Sequence, residues 1–249
     1  MLLQNFIHKQ SNEYNSTDFI TETEIWEHIS LPIRLVTCKF DIHNFSPEYF
    51  ECFDVPFEPT ISKAVPKRQA EFLAGRLAAA EALKVIGAPI PLKSIKASQN
   101  KGPQWPNEVA GSISHTNDIA AAIVGPSSII SSLGIDIEEH IEESVCIQIA
   151  KQIHNEDEIS LFINKGIESN KATTILFSAK EALYKALYKY VNCFFGFESA
   201  QAINLDLKHN ILELKLEESF RSKYKLHQTY FCHFHQVHSI VISLITVAR

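Results

Sequence analysis

Gly134-Ile135-Asp136-Ile137-Glu138 is the stretch on which the reading of this chain turns. In a β-strand alternate side chains face one way, so Ile135 and Ile137 point into a core while Asp136 and Glu138 project together. Two carboxylates held side by side repel unless a cation or a proton offsets them. A hard divalent ion, Mg²⁺ or Mn²⁺, suits such oxygen ligands. The plain alternative is a strand running out into solvent, with Glu139, Glu142 and Glu143 extending an acidic surface. Taken alone, the stretch supports both equally.

Working outward, residues 111–115, 119–124 and 133–138 read as strands separated by turns. Upstream, Pro66 stands where a helix can begin, and residues 67–86 carry an apolar stripe of Phe72, Leu73, Leu77, Ala80 and Leu83 that Gly87 and Pro89 end. Arg68 and Arg76, a little over two turns apart, share roughly one side of that helix. Residues 33–40 are the best strand in an otherwise irregular, aromatic-rich first sixty residues, where Ser46-Pro47 and Val55-Pro56-Phe57-Glu58-Pro59 mark loops. Downstream, residues 140–165 read as helix interrupted near His154-Asn155, and residues 174–190 as a long helix. Residues 203–207, 211–216 and 230–247 read as strands, the last long enough to be split by a turn or bulge. One α+β unit used twice accounts for this order, with halves at residues 1–130 and 131–249 and a boundary near residues 127–133.

The chain has 249 residues, 23 Lys and Arg against 29 Asp and Glu, and a formal charge of −6. With 45% hydrophobic and 21% charged residues, wholesale disorder is excluded. The acidic balance argues against a surface that coats nucleic acid or an anionic membrane. The charge is uneven: residues 61–105 hold eight Lys and Arg and only Glu71 and Glu81, a local +6 that leaves −12 elsewhere. That suggests an anion site, although a solvated helix face with loop lysines fits the charge as well. The five cysteines are odd in number, widely spaced and free of any CxxC, which points to a reducing compartment with buried free thiols. The start lacks the pattern of a secretory signal, and the most apolar stretch, residues 239–248, is too short to span a bilayer as a helix. The expectation is a soluble, cytoplasmic protein.

Three further groupings carry possible chemistry. Phe177-Ser178-Ala179-Lys180-Glu181-Ala182-Leu183-Tyr184-Lys185 places Glu181 and Lys185 as i, i+4 neighbours. Ser178 and Glu181 also make a capping-box pattern, a purely structural alternative, while a helix N-terminus attracts anions. Gly111-Ser112-Ile113-Ser114-His115 ends a strand in Ser-His, but adjacent strand residues point apart and no G-x-S-x-G elbow exists, so His115 reads as a donor to an anion or as a turn histidine. Near the end, His233 and His235 share a face and two imidazoles could bind zinc or copper; without a placed third ligand, these two with His227 and His238 read as exposed strand histidines. Trp105, between prolines, reads as a loop anchor rather than the wall of a ligand pocket.

Arg68-Gln69-Ala70-Glu71-Phe72-Leu73-Ala74-Gly75-Arg76, Gly102-Pro103-Gln104-Trp105-Pro106, and the stretches 111–115, 134–138 and 177–185 occur in that order. Together they resemble the 4′-phosphopantetheinyl transferases of the larger, surfactin-type group, its siderophore branch in particular, over residues 67–190. The resemblance implies an α+β monomer of two similar halves in pseudo-two-fold arrangement, with the active site between them. It implies that coenzyme A donates its 4′-phosphopantetheine arm to a serine of an apo peptidyl, aryl or acyl carrier protein, releasing adenosine 3′,5′-bisphosphate. By the same resemblance Asp136, Glu138 and Glu181 hold Mg²⁺ (or Mn²⁺), Lys185 and His115 contact phosphates, and Arg68 and Arg76 contact the 3′-phosphate of coenzyme A. Lys101 stands close to a phosphate-binding lysine of the family, and Gly102, Pro103, Ser114 and Lys180 fall on the coenzyme A side. Attack of an alcohol on a pyrophosphate needs charge neutralisation and removal of the hydroxyl proton. Glu181 is the expected base, Glu138 the second choice, and Lys185 the supporting cation. The branch favours carriers of non-ribosomal peptide synthesis making an enterobactin-like siderophore. Competing readings are a broad transferase serving fatty-acid or polyketide carriers, a metal-dependent phosphohydrolase, and a coenzyme A-binding protein without turnover. No nucleic-acid partner is expected.

Overall fold

The chain folds as two units that divide at residues 131 and 132, and the computed structural model describes residues 5–12, 17–87, 95 and 102–249. The first unit contains strands β1 (Phe6–Asn12), β2 (Ile20–His28) and β3 (Arg34–Phe40), short helices α1 (Tyr49–Cys52) and α2 (Pro59–Ser62), the long helix α3 (Pro66–Val85), and strands β4 (Val109–His115) and β5 (Ile119–Pro126). They form one antiparallel sheet in the order β1-β2-β3-β5-β4. Helix α3 opens on Pro66, whose fixed φ suits the first turn and whose missing N–H costs nothing there. Past its last turn Gly87 takes φ +69, a conformation glycine adopts without a Cβ penalty. The expected stripe is buried throughout, and Ala70, Ala74, Ala78, Ala79 and Ala82 beside it are fully buried. A helix with so many methyl side chains can lie close on the sheet: a Cβ at Gly75 would stand 2.9 Å from the Ile113 side chain. Phe19, Phe40, Phe50 and Phe72 fill one end of this core, and Val36, Ala82, Leu83 and Val124 the other.

Two strands of this unit escape the sequence reading. Strand β2 buries both Ile25 and Trp26, and its register against β3 shifts between Ile20 and Glu22, so the alternation that marks a strand is broken. Strand β1, at the edge of the sheet, is mostly polar.

The second unit contains β6 (Ile130–Glu139), helices α4 (Glu143–Ile153), α5 (Glu156–Ile163) and α6 (Ser169–Val191), strands β7 (Ala200–Asp206) and β8 (Ile211–Leu216), helix α7 (Glu218–Tyr224), and strands β9 (Thr229–Val237) and β10 (Ile240–Ala248). The sheet order is β6-β10-β9-β8-β7. The long helix α6 supplies Leu176, Ala179, Leu183 and Leu187 to a core completed by Leu212, Leu214, Phe234, Val241 and Ile245. Each unit is thus a five-stranded sheet under one long helix, an α+β design used twice. The break foreseen near His154-Asn155 is the junction of α4 and α5, where Asn155 and Glu158 form a reciprocal capping box. The final strand divides at His238, which takes φ +53. Helix α7 was not foreseen; its seven residues are too few to show a period, and its start rests on the Glu217 carboxylate accepting from the Phe220 N–H. No described helix is long and apolar enough to cross a membrane.

Three expectations are corrected. The Ser178–Glu181 capping box does not form, because α6 begins at Ser169 and Ser178 lies well inside it, fully buried. Of the five thiols, Cys38, Cys146 and Cys232 are buried, but Cys52 and Cys193 are exposed. The strand histidines are not all exposed: His227 and His238 are, His233 is half-buried, and His235 is 3% exposed. Burial lowers the His235 imidazole from its ordinary 6.5 to about 4, with His233 adding to the effect. The unfolded chain therefore binds more protons between those two values, so stability is full above pH 6.5 and lost as pH falls toward 4. His235→Gln should flatten that acid loss by up to about 3 kcal/mol. Urea unfolding at a series of pH values checks this, and an unchanged slope would remove His235 from the account.

Candidate active site

In the second unit the site grows from the packing of β6 on α6. Ser132, Gly134 and Asp136 share one face of the strand. Ser132 Oγ donates to the Ala186 carbonyl at 2.5 Å. A Cβ on Gly134 would fall on the Ala182 carbonyl oxygen and stand 2.9 Å from the Ala186 nitrogen. Strand and helix backbones therefore touch, with no side chain between them. The next residue on that face, Asp136, is 2% exposed and accepts from Lys185 Nζ at 2.7 Å. Since Ile135 and Ile137 on the other face are fully buried as well, the strand does not run out into solvent.

The carboxylates of this region act on one another. Burial, then Asp136, then Glu181 and Glu139 push Glu138 up to about 8, while Lys185 opposes the rise. Burial and then Asp136 raise Glu181, again against Lys185. Lys185, one turn from Glu181 on α6, forms an ion pair with Asp136 on β6. Among the described residues no group of three or more His, Cys, Asp or Glu side chains is arranged as a metal cage. The donor chemistry nonetheless fits a hard cation: oxygen ligands whose mutual repulsion raises two of them, a repulsion added positive charge relieves.

Lys180, beside Glu181 in sequence, is placed differently. Its ammonium is enclosed and bonds Glu158 Oε1 at 2.8 Å, the Ile153 carbonyl at 2.7 Å and the Phe197 carbonyl at 3.2 Å. Burial lowers its pKa, and Glu158 opposes that. Lys180 thus lies within the packing of its own unit. Lys180 also borders a pocket, whose lining includes Glu181, Leu183, Tyr184, Phe194, Phe195 and Phe197. Phe194 is 82% exposed at its rim.

In the first unit, α3 and the end of β4 bring Arg68 and His115 together. Arg68 Nη1 donates to His115 Nε2 at 2.6 Å, so that nitrogen is the acceptor and the proton sits on Nδ1. Nδ1 lies 3.7 Å from Glu71 Oε2, which is also 3.5 Å from Arg68 Nη1. Arg76, expected on the same side as Arg68, is instead 5% exposed with its guanidinium 4.4 Å above the Phe72 ring. Its Nε has no hydrogen-bond partner among the described residues, and burial lowers its pKa to about 10, with Glu58 opposing. Ser114 is buried in β4 and His115 half-buried at its end. Gly102 and Pro103 are half-buried, and Trp105 presses on Gly111, where a Cβ would meet the indole at 2.6 Å. Lys101 lies outside the described residues. Glu71 and Glu158 were missed as participants; each stands in an ordinary helical context, and only contacts distant in sequence reveal it.

Two family models divide the chain much as the fold does. The 4′-phosphopantetheinyl transferase N-terminal domain matches residues 57–125, and the 4′-phosphopantetheinyl transferase superfamily matches residues 132–244. The chain belongs to that superfamily and is a 4′-phosphopantetheinyl transferase enzyme. It is similar to enterobactin synthase component D of Salmonella typhi, at 32% identity over 75% of this chain and 77% of that protein. The protein of that name in Escherichia coli strain K12 is 35% identical over 64% of this chain and 74% of its own length. The 4′-phosphopantetheinyl transferase PptT of Mycobacterium tuberculosis is 33% identical over 57% and 61%.

Gly134→Ala tests the strand–helix contact. Overpacking of this kind costs about 1–3 kcal/mol where the core can adjust, and a backbone carbonyl leaves little room to do so. The variant should melt several degrees lower and lose the Asp136–Lys185 contact. A thermal melt equal to wild type would show that β6 and α6 do not depend on this glycine.

Proposed function

We propose that this chain transfers the 4′-phosphopantetheine arm of coenzyme A to a serine hydroxyl of apo carrier proteins, serving peptidyl and aryl carriers of siderophore assembly of the enterobactin type. The observation that supports this reading is the coupling of Asp136, Glu138 and Glu181 around Lys185. The serine oxygen forms a bond to the phosphorus bearing the pantetheine arm. The bond from that phosphorus to the adenosine side breaks, and adenosine 3′,5′-bisphosphate leaves with the electron pair. The serine proton passes to Glu181, whose burial raises its pKa and so its appetite for a proton. Asp136, Glu138 and Glu181 are the residues that would hold Mg²⁺, which would supply charge neutralisation at the pyrophosphate. Lys185 balances Asp136 and adds positive charge beside the transferred phosphoryl group. Arg68 and His115 take phosphate oxygens, and Arg76, whose Nε has no partner among the described residues, is assigned to the 3′-phosphate with Arg68. The reading makes the enzyme of the holo-acyl-carrier-protein synthase type in the broad sense. Relatives named for enterobactin synthesis support the siderophore assignment over a broad transferase, and no observation favours a phosphohydrolase.

The test is protein, Mg²⁺, coenzyme A and apo carriers of the peptidyl, aryl and fatty-acid kinds, followed by intact mass. The expected result is a gain of the phosphopantetheine arm, faster on peptidyl and aryl carriers. No gain on any carrier would overturn the reading. Asp136→Asn should abolish transfer and also the rise in melting temperature that Mg²⁺ gives the wild type, a readout that needs no turnover.

The arginine assignment has its own check. Arg68→Ala removes a charge-assisted contact worth about 1.5–3 kcal/mol, so the KM for coenzyme A should rise about 10- to 100-fold. The KM for 3′-dephospho-coenzyme A should barely move. Equal rises for both substrates would take Arg68 away from the 3′-phosphate.

A further inference from the structure

Lys180 and Glu181 are consecutive and both border the pocket, yet the Lys180 ammonium is taken up by Glu158 and two backbone carbonyls. We propose that Lys180 and Glu158 are a positioning pair: together they hold the aromatic wall of residues 194–197 against the turn of α6 that presents Glu181. The proposal rests on the transferase reading for what Glu181 does.

The bonding of the pair is unusually complete. An ammonium has three protons, and Lys180 directs Nζ at three acceptors, Glu158 Oε1, the Ile153 carbonyl and the Phe197 carbonyl. Glu158 Oε1 also accepts from the Ala202 N–H at 2.8 Å, and Oε2 from the Asn155 N–H at 3.1 Å. One ion pair therefore joins the end of α4, the start of α5, the middle of α6, the start of β7 and the turn before it. Both side chains are about 3% exposed. Enclosing two charges is expensive, and an apolar pair of similar volume often gives equal or better stability. Added stability is therefore a poor explanation for the pair. What an apolar pair cannot do is fix a carbonyl in place.

The Phe197 carbonyl is the one that matters for the pocket. Between the left-handed Asn192 that ends α6 and Ala200 that begins β7, the chain turns sharply and carries Phe194, Phe195 and Phe197 into the lining. Phe195 and Phe194 meet Tyr184 with ring centroids 5.1 and 5.8 Å apart, and Tyr184 lies on α6 between Glu181 and Lys185. Phe177 meets Phe197 with ring centroids 5.5 Å apart. Aromatic contacts of this kind tolerate sliding, whereas a charge-assisted bond to a backbone oxygen sets a position. Releasing Phe197 lets the wall drift from Glu181 and admits water to its carboxylate.

The role differs in a measurable way from direct contact with coenzyme A. If Lys180 held a phosphate, Lys180→Met would raise the KM for coenzyme A and Glu158→Gln would not. A positioning pair predicts that both single variants lower kcat at least about 10-fold, with the KM for coenzyme A changed less than about 3-fold. Their effects should not add in the double variant. Each single variant leaves one buried charge without its partner and risks unfolding, so the double variant Lys180→Met with Glu158→Gln, which encloses no charge, is the decisive protein. It should fold, exchange the amides of residues 193–199 at least 10-fold faster by hydrogen–deuterium exchange, and keep the low kcat. A folded double variant with wild-type exchange, or with faster exchange but wild-type kcat, overturns the positioning role and leaves the transferase reading standing. A rise confined to the KM for coenzyme A makes Lys180 a ligand instead and overturns it equally. A wild-type protein that loads no carrier overturns the transferase reading, and the positioning role with it.

Discussion

A strand backbone resting on a helix backbone is the constraint from which the second unit's chemistry follows. Gly134 and Ser132 give β6 no bulk on the side that meets α6, and Ala182 and Ala186 give α6 none in return. Contact at this range is what lets a short side chain, Asp136, reach a lysine on the helix. A larger residue at 134 would meet the Ala182 carbonyl oxygen and push the strand off the helix. The carboxylates then share a region poor in water, where their repulsion is strong and one lysine does not cancel it. The demand for added positive charge is thus built in by packing, before any ligand is considered.

The two lysines of α6 show how a helix divides its work. Lys185 leans across to the strand and balances a carboxylate of the site. Lys180 turns the other way and is consumed by backbone carbonyls and Glu158. Similar side chains five positions apart on one helix serve opposite sides of it. The first unit repeats the contrast with arginine: Arg68 faces His115 and Glu71, and Arg76 lies over Phe72. The positive charge concentrated in residues 61–105 is therefore only partly at the surface.

What could be read from residues alone follows the range of the interaction. Alternation in residues 133–138 and the alanine-rich stripe of α3 are local patterns, and they located β6 and α3 to within a few residues. Strand β2 was missed because a register shift spoils its alternation. Ser178 misled because three-residue spacing to a glutamate looks alike at a helix start and in a helix middle. The true capping box, Asn155 with Glu158, was passed over, although the break beside it was seen. The fate of Lys180 was out of reach in principle, since its ion-pair partner and the carbonyls it binds lie on other elements. His235 was read as exposed because strand alternation does not tell which face is covered.

The thiols hold a practical consequence. Burial raises Cys38 and Cys232 to about 12, which leaves almost no thiolate near neutral pH and makes both poor nucleophiles. Cys146 is enclosed too, so alkylating probes should discriminate in favour of Cys52 and Cys193, one in each unit. Cys193 is the first residue after the cap of α6, its sulfur 3.2 Å from the Tyr224 hydroxyl, at the root of the turn that carries the aromatic wall. A small fluorophore or spin label there would sit where α6 gives way to that turn, and its twin at Cys52 would serve as an internal reference on the other unit. The unengineered chain thus already carries a two-site spectroscopic handle.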